Sequence, residues 1–382
     1  MLVISCTQAS KSGAARYVYE LHNEISKIKN DSILIAPNNF DFLHLVENLV
    51  PYRELDVKKG KVKKTFSMIK QFFDSTIKIN EIVKNSANKK IILHFNFPGL
   101  PALSILQFIS VKNKNVRLFF TVHDVLPHKW LFPDYLRGVE FLLLKMLYKI
   151  PNIIIVHHES QRVDLIKKFG MEAKKIKIAP HGVFGLSSAP LKYKKEDEYN
   201  LLCFGAIRKN KGVILAIKAV QALREQGFPV VLTIAGAASK GELDYWVECK
   251  KAIDGSPDGI LVHEGYVGDD ELKKFFSNAH AILLPYVDFH SQSGVATMAL
   301  SNGRVIISTQ SGGLSDLVNN KEYAFEIKNA DIAGVCDSIK RVVSTGHDKL
   351  EYLGDLAFKD MMEKYSWSSV AKIHCDYYEE CD

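Results

Sequence analysis

The chain has 382 residues, 47% hydrophobic and 24% charged, with 23 Gly and 12 Pro, which excludes a disordered or fibrous chain. At about 150 residues per domain, the length predicts two or three domains. Residues 1–190 carry 28 Lys and Arg against 15 Asp and Glu, a net charge of +13, while 191–382 carry 22 against 28, a net of −6. Opposite signs point to two domains, the first facing something anionic: nucleic acid, a membrane surface or a phosphorylated substrate.

No apolar run reaches the ~18 residues of a membrane-spanning helix. The start, MLVISCTQAS, reads as a strand and not as a signal peptide. The six cysteines (Cys6, Cys203, Cys249, Cys336, Cys375, Cys381) form no CxxC pair. Reduced thiols of a cytoplasmic protein, without structural zinc, are the expectation.

In chain order the predicted strands are Leu2–Cys6, Ser32–Ala36, Lys90–Asn96, Val116–His123, Asn152–His157 and Ile176–Ala179. The second half adds Tyr199–Gly205, Pro229–Ala235, Gly259–Glu264, Ala281–Pro285, Val305–Ser308 and Tyr323–Phe325. Most are Ile/Val/Leu-rich without alternation, as strands covered on both faces are. Helical patterns between them predict βαβ units and parallel sheets. The expected fold is α/β, with two doubly wound Rossmann-like domains at 1–186 and 199–360. A Ser/Lys/Glu-rich linker at 187–198 joins them, and a helical segment at 361–382 follows.

Three turns at strand carboxyl ends suit a phosphate. Ser12-Gly13-Ala14-Ala15-Arg16 stands between the first strand and a helix predicted from Tyr17, and its small residues let backbone amides approach an anion. In the second half, Phe204–Gly212 places Arg208 and Lys211 at a sheet edge, where open α/β sheets bind ligands and where two cations suit a diphosphate. Pro285–Ala296 carries a polar loop into a helix predicted to begin near Ser293, with Ser293, Gly294 and Val295 presenting free amides. Thr309–Leu314 is another Gly-rich turn at this edge. In the first half His94 and His123 lie at neighbouring strand ends and His181 near the linker. Their spacing matches no zinc motif.

These segments together resemble the retaining glycosyltransferases of family 4, which have the GT-B fold. The resemblance rests on the small-residue turn at Gly13, TVHD ending at His123–Asp124, IAPHGV at 178–183 and Gly205…Lys211-Gly212. It continues through VHEGYVGDDELKKFFSNAHAILLPY at 262–286, NGRVIISTQSGGLSDLV at 302–318 and Tyr365-Ser366-Trp367. The family's Glu-x7-Glu positions are occupied by Ser291 and Ala299. The family's Arg after the first Gly is Ala206, with Arg208 two places on.

The resemblance implies two domains facing a cleft, a last helix crossing back to the first, and transfer of a sugar from a nucleotide diphosphate to a hydroxyl with retention. His123, Arg208 and Lys211 would then be catalytic. Gly13, Tyr266, Val267, Ser291, Ser293, Gly294 and Val295 would bind the donor, the Val262–Val267 loop holding its base. Arg16, His94 and Asn96 would bind the acceptor. No metal or other cofactor is implied. The expected acceptor is a polyprenyl-diphosphate-linked or oligosaccharide one, in cell-surface polysaccharide or glycolipid assembly. A catalytically inactive nucleotide- or sugar-binding partner subunit and a sugar-nucleotide epimerase are the alternatives. Nucleic acid is not expected, for want of a recognition motif.

Residues 53–90 hold 11 Lys and Arg against 4 Asp and Glu. Within them Val62, Phe66, Ile69, Phe73 and Ile77 recur at helical spacing, flanked by Lys61, Lys63, Lys64 and Lys70, and Trp130–Pro133 forms a second apolar cluster. Core is one reading of these faces. Contact with an anionic membrane, the chain being peripheral on its cytoplasmic side, is the other.

Overall fold

Every run predicted as a strand forms one, and each pairs in parallel. Unbroken Ile/Val/Leu runs bury both faces of a strand, and β1 (Leu2–Thr7) is buried at every position. The computed structural model describes residues 1–53, 61–127, 130, 132–185, 187–239, 241–289 and 293–380, with 61–67 and 269 described by backbone alone. It divides into two units, Met1–Gly182 with Tyr365–Asp382, and Val183–Lys364.

The first unit's sheet has the order β3-β2-β1-β4-β5-β6-β7. Its other strands are β2 (Ser32–Pro37), β3 (Leu49–Tyr52), β4 (Ile91–Phe97), β5 (Val116–Thr121), β6 (Ile153–Val156) and β7 (Ile176–Ile178). Edge strand β3 escaped prediction because Pro51 interrupts it; a proline is tolerated at an edge, where its missing N–H leaves no ladder bond unmade. The helices are α1 (Ser12–Ile28), α2 (Lys61–Asn85), α3 (Pro101–Ser110), α4 (Arg137–Lys149) and α5 (Glu159–Phe169). Ile79 and Val83 of α2, Ile105 and Phe108 of α3, and Leu144 and Leu147 of α4 share one core with Ile4, Leu93 and Phe120 of the strands.

The second unit's sheet has the order β10-β9-β8-β11-β12-β13. Its strands are β8 (Tyr199–Phe204), β9 (Val230–Gly236), β10 (Ile260–Glu264), β11 (Ala281–Leu284), β12 (Val305–Thr309) and β13 (Ala324–Ile327). Its helices are α6 (Val213–Glu225), α7 (Leu243–Gly255), α8 (Asp269–Asn278), α9 (Gly294–Leu300), α10 (Ser315–Val318), α11 (Ile332–Thr345) and α12 (His347–Tyr365). The last helix, α13 (Trp367–Glu379), is capped by Ser366 and packs on α1 in the first unit.

The segment read as a Ser/Lys/Glu-rich linker is partly tied into the second unit. Arg304 is fully buried. It donates to the carbonyls of Phe276 at 2.7 Å, Leu191 at 2.6 Å and Lys192 at 2.8 Å, and lies 4.2 Å over the Tyr193 ring. His280 adds a bond to the Lys194 carbonyl at 2.7 Å. The five described cysteines are buried and unpaired. Among the described residues, no helix is long and apolar enough to cross a membrane.

Candidate functional site

In a doubly wound sheet a ligand crevice opens at the carboxyl ends of the two strands where the winding reverses. Here those strands are β1 and β4 in the first unit, β8 and β11 in the second.

At the second unit's reversal the backbone is drawn tight by glycine. Gly212 has φ of +64°, and a Cβ there would lie 1.9 Å from the Pro285 carbonyl oxygen, so only glycine lets the loop after β8 lie against the end of β11. Gly205 brings the Val295 side chain close: a Cβ at Gly205 would meet Cγ2 at 3.6 Å. The structure therefore brings Gly205, Lys211, Ser293, Gly294 and Val295 to one edge.

Lys211 Nζ lies 3.7 Å from the Tyr286 ring centroid and 4.5 Å from that of Phe289. Burial, with Arg208 adding like charge, lowers its pKa to about 8. Ring faces hold the ammonium in place without neutralising it, so it remains available to an anion. Beside it Asn210 Oδ1 is buried without a hydrogen-bond partner. Arg208 is exposed, its Nε donating to Ser239 Oγ at 2.9 Å.

Ser293 is the N-cap of α9, its hydroxyl accepting from the Ala296 amide at 3.3 Å. Ser293 is itself buried, so its side chain serves the helix. Gly294 stands at the first helical position, facing open space. Ser291 lies outside the described residues. Ala299, at the second family Glu position, is fully buried. The expected base-holding loop is shorter than predicted: Val262–Glu264 belongs to β10, and the turn proper is 265–268, with Tyr266 90% exposed and Val267 buried.

In the first unit the turn at Ser12–Arg16 is already helix. α1 begins at Ser12, which takes a φ of +65° while its amide donates to Asp41 Oδ2 at 3.1 Å. Gly13 thus sits in the first helical turn, with open space where its side chain would be. Arg16 is exposed on α1, its Nε 3.5 Å from Glu20 Oε1. His94 is a correction. Its Nδ1 meets Tyr378 Oη at 2.7 Å, its Nε2 meets Thr121 Oγ1 at 2.7 Å, and it is fully buried. It ties β4 to β5 and α13 and has no atom left for an acceptor.

His123 lies flat on Phe97, with centroids 3.9 Å apart and planes 6° from parallel, and edge-on to Tyr17. His157 Nδ1 lies 3.0 Å from the Ala179 carbonyl, which can only accept, so that nitrogen carries the proton. Its Nε2 then accepts from His123 Nδ1 at 2.9 Å. His123 Nε2 is buried without a close hydrogen-bond partner, while the Asn96 backbone lies near enough to the ring to favour a proton on it. Burial first, then His157 and His181, hold the His123 pKa well below the usual value, so the ring is neutral. Asn96 is buried at the end of β4, its Oδ1 likewise unpartnered. Trp367 of α13 closes this cluster, since a Cβ on Gly182 would lie 2.4 Å from its ring.

Sequence reasoning missed Tyr286, Phe289 and Asn210 around Lys211, and Tyr17 and Phe97 around His123; it offered His157 only as a weaker element of the same strand-end edge. Their signal was position: each lies at or just beyond a strand carboxyl end or in the following helical turn. Two larger hollows lie elsewhere, about 380 Å³ beside His22, Asn23 and Asn48 and about 390 Å³ beside Leu261, His263 and Phe275. Among the described residues no group of three or more His, Cys, Asp or Glu could hold a metal ion.

Two parallel doubly wound sheets, each with such an edge, define the GT-B class of nucleotide-sugar enzymes. The chain matches the family described as Glycosyltransferase Family 4 over residues 11–183 and that described as Glycosyl transferases group 1 over 198–345, and it belongs to this glycosyltransferase family. It is 26% identical over 266 residues to an uncharacterized glycosyltransferase of Methanocaldococcus jannaschii, covering 65% of each chain. It is 24% identical over 244 residues to a D-inositol 3-phosphate glycosyltransferase of Paenarthrobacter aurescens, covering 59% of this chain and 57% of that one. The matched stretches thus span less than two thirds of these relatives. Among solved structures, HepE of Anabaena in complex with UDP superposes over 100% of both chains with a TM-score of 0.71 at 13% identity.

Proposed function

We propose that the chain transfers a sugar from a nucleoside diphosphate sugar to a hydroxyl with retention of configuration. The carrying observation is Lys211, a half-buried cation held over Tyr286 and Phe289 at the second unit's reversal. Charge builds on the leaving diphosphate as the glycosidic bond breaks, and a fixed cation out of bulk water is the strongest stabiliser for it. Arg208 and the amides of Gly294 and Val295 assist, without a divalent metal. The family resemblance implies departure and attack on one face of the sugar, a course that needs no carboxylate pair of the kind double displacement uses. UDP bound to HepE supports a uridine donor by analogy.

On the first unit the unpartnered atoms of His123 and Asn96 are assigned to sugar or acceptor hydroxyls, with Arg16 at the rim. A polyprenyl-diphosphate-linked or oligosaccharide acceptor, made on the cytoplasmic side during surface polysaccharide or glycolipid assembly, suits a strongly basic half. A second reading, a partner subunit that binds nucleotide or sugar without transferring it, is favoured by Ala299, where a carboxylate would hold the ribose. The test is a thermal-shift screen of UDP-, GDP- and ADP-sugars followed by donor hydrolysis. Binding with hydrolysis supports the transferase; binding without hydrolysis or transfer supports the partner subunit; no binding overturns both.

A further inference from the structure

The helix α2 does not lie as its apolar repeat predicts. Its buried positions are Phe72, Ser75, Ile79 and Val83, one step round from the predicted face. Phe73 and Ile77 of that face point outward. Neighbouring α3, joined to α2 by Gln107 bonding Ser75 and Thr76 at 3.0 Å each, exposes Leu106 and Ile109. Next to it, α4 exposes Leu142 and Met146. All six are between 45% and 57% exposed. Single exposed leucines mean nothing, but exposed apolar residues on three adjoining helices are the pattern that marks interaction surfaces. The side chains of Lys61, Val62, Lys63, Lys64 and Phe66 lie outside the described residues.

Charge identifies the occupant. Helices of a doubly wound sheet run against the strands, so α2, α3 and α4 all end at the strand amino edge. Lys84, Lys112, Lys114 and Lys149 stand exposed there, at or just past those ends. The first unit carries 29 Lys and Arg against 19 Asp and Glu, net +10, and the second 21 against 24, net −3. A second copy of this chain, meeting the surface through a two-fold axis along the helices, would set these lysines against their own kind, and one turned across the helices would leave them facing no anion of this row. An apolar row with a cationic margin on helices too polar to span suits the plane of an anionic bilayer.

We propose that the outer faces of α2, α3 and α4 dock this chain on an anionic lipid surface. Docking through this surface does not depend on sugar transfer, so failed donor binding and failed docking are separate results. The test is co-sedimentation of the full chain with phosphatidylglycerol-containing and pure phosphatidylcholine vesicles, at low and high salt. The wild type is expected to bind the anionic vesicles only, and to be released by salt.

Leu106→Ser with Leu142→Ser is expected to weaken binding by roughly 100-fold, and each of Lys112→Gln and Lys149→Gln by about fivefold. Leu243→Ser, at an exposed position in the second unit, is expected to change nothing. Melting temperatures verify that each variant folds, as exposed positions allow. Equal binding to both vesicles, binding to neither, or full binding by the folded Leu106/Leu142 variant overturns the proposal. So does a concentration-dependent dimer that these substitutions abolish, which would make the surface a contact between copies.

Discussion

Lys211 is where burial and function pull in opposite directions. Its pKa of about 8 reflects the cost of holding an ammonium out of water. Lowering a lysine pKa below its unfolded value means the folded state prefers the neutral form. Folding stability therefore rises with pH between about 8 and the usual lysine range near 10, as that cost is shed. Anion binding has the reverse sign, needing the proton. Affinity for UDP is expected to fall as pH rises above about 8, with proton uptake on binding visible calorimetrically in buffers of different ionisation enthalpy. Lys211→Arg should abolish that dependence, because guanidinium stays charged; an unchanged profile would show that another group titrates. Lys211→Ala should lower turnover by ~100-fold or more without loss of fold, and a variant keeping half its activity would remove Lys211 from the chemistry. Arg304 is the structural counterpart: its Nε and both terminal nitrogens bond carbonyls at five sites. Arg304→Ala strands those acceptors and opens a cavity, and about 3 kcal/mol or more of stability should be lost in urea unfolding.

At the scale of elements, the helix α9 gives a clean way to remove one backbone donor. Gly294 is the first helical residue, where proline is tolerated, and Ser293 before it has the extended backbone that proline requires, with φ of −99° and ψ of 102°. Gly294→Pro should thus leave α9 intact and delete a single amide. Affinity for UDP should fall severalfold while affinity for uridine stays level. A parallel loss of both would indicate a distorted turn and not a missing phosphate donor. The strands were legible because buried parallel strands are written in unbroken apolar runs. The first turn of α1 was not: Ser12 enters the helix with positive φ, fixed by Asp41, which lies 29 residues away. Likewise the face of α2 could not be read from its repeat, since two overlapping apolar stripes share that helix and only packing against β2, β3 and α3 selects one. His94 misled for a similar reason. A histidine at a strand end looks like a ligand until Tyr378, 284 residues on, and Thr121 take both its nitrogens.

Across the whole molecule, net charge and local geometry give opposite answers about where a nucleotide binds. The basic first unit should attract an anion, and the acidic second unit should repel it. Screening decides between them: at physiological salt a charge acts over about 8 Å, so the cations within that reach of a bound diphosphate outweigh the sum over a domain. On the proposed reading those cations are Lys211 and Arg208 of the second unit, beside the glycine-lined edge of β8 and β11. Hydrogen exchange with and without UDP tests this. A ligand at 100 times its dissociation constant stabilises the state that binds it by about 2.7 kcal/mol, so amides that exchange only through unfolding of that state slow by about 100-fold. The slowing is expected in β8 and β11, and locally in residues 205–212 and 293–297. Strands β1 and β4 should keep their rates if the two units unfold separately. Should they slow equally, the units unfold as one, and the loop residues alone then report the site. If protection instead centres on Gln8–Arg16 and β4 while the loops after β8 and β11 are unaffected, the donor belongs to the first unit, and Lys211 loses its assigned role.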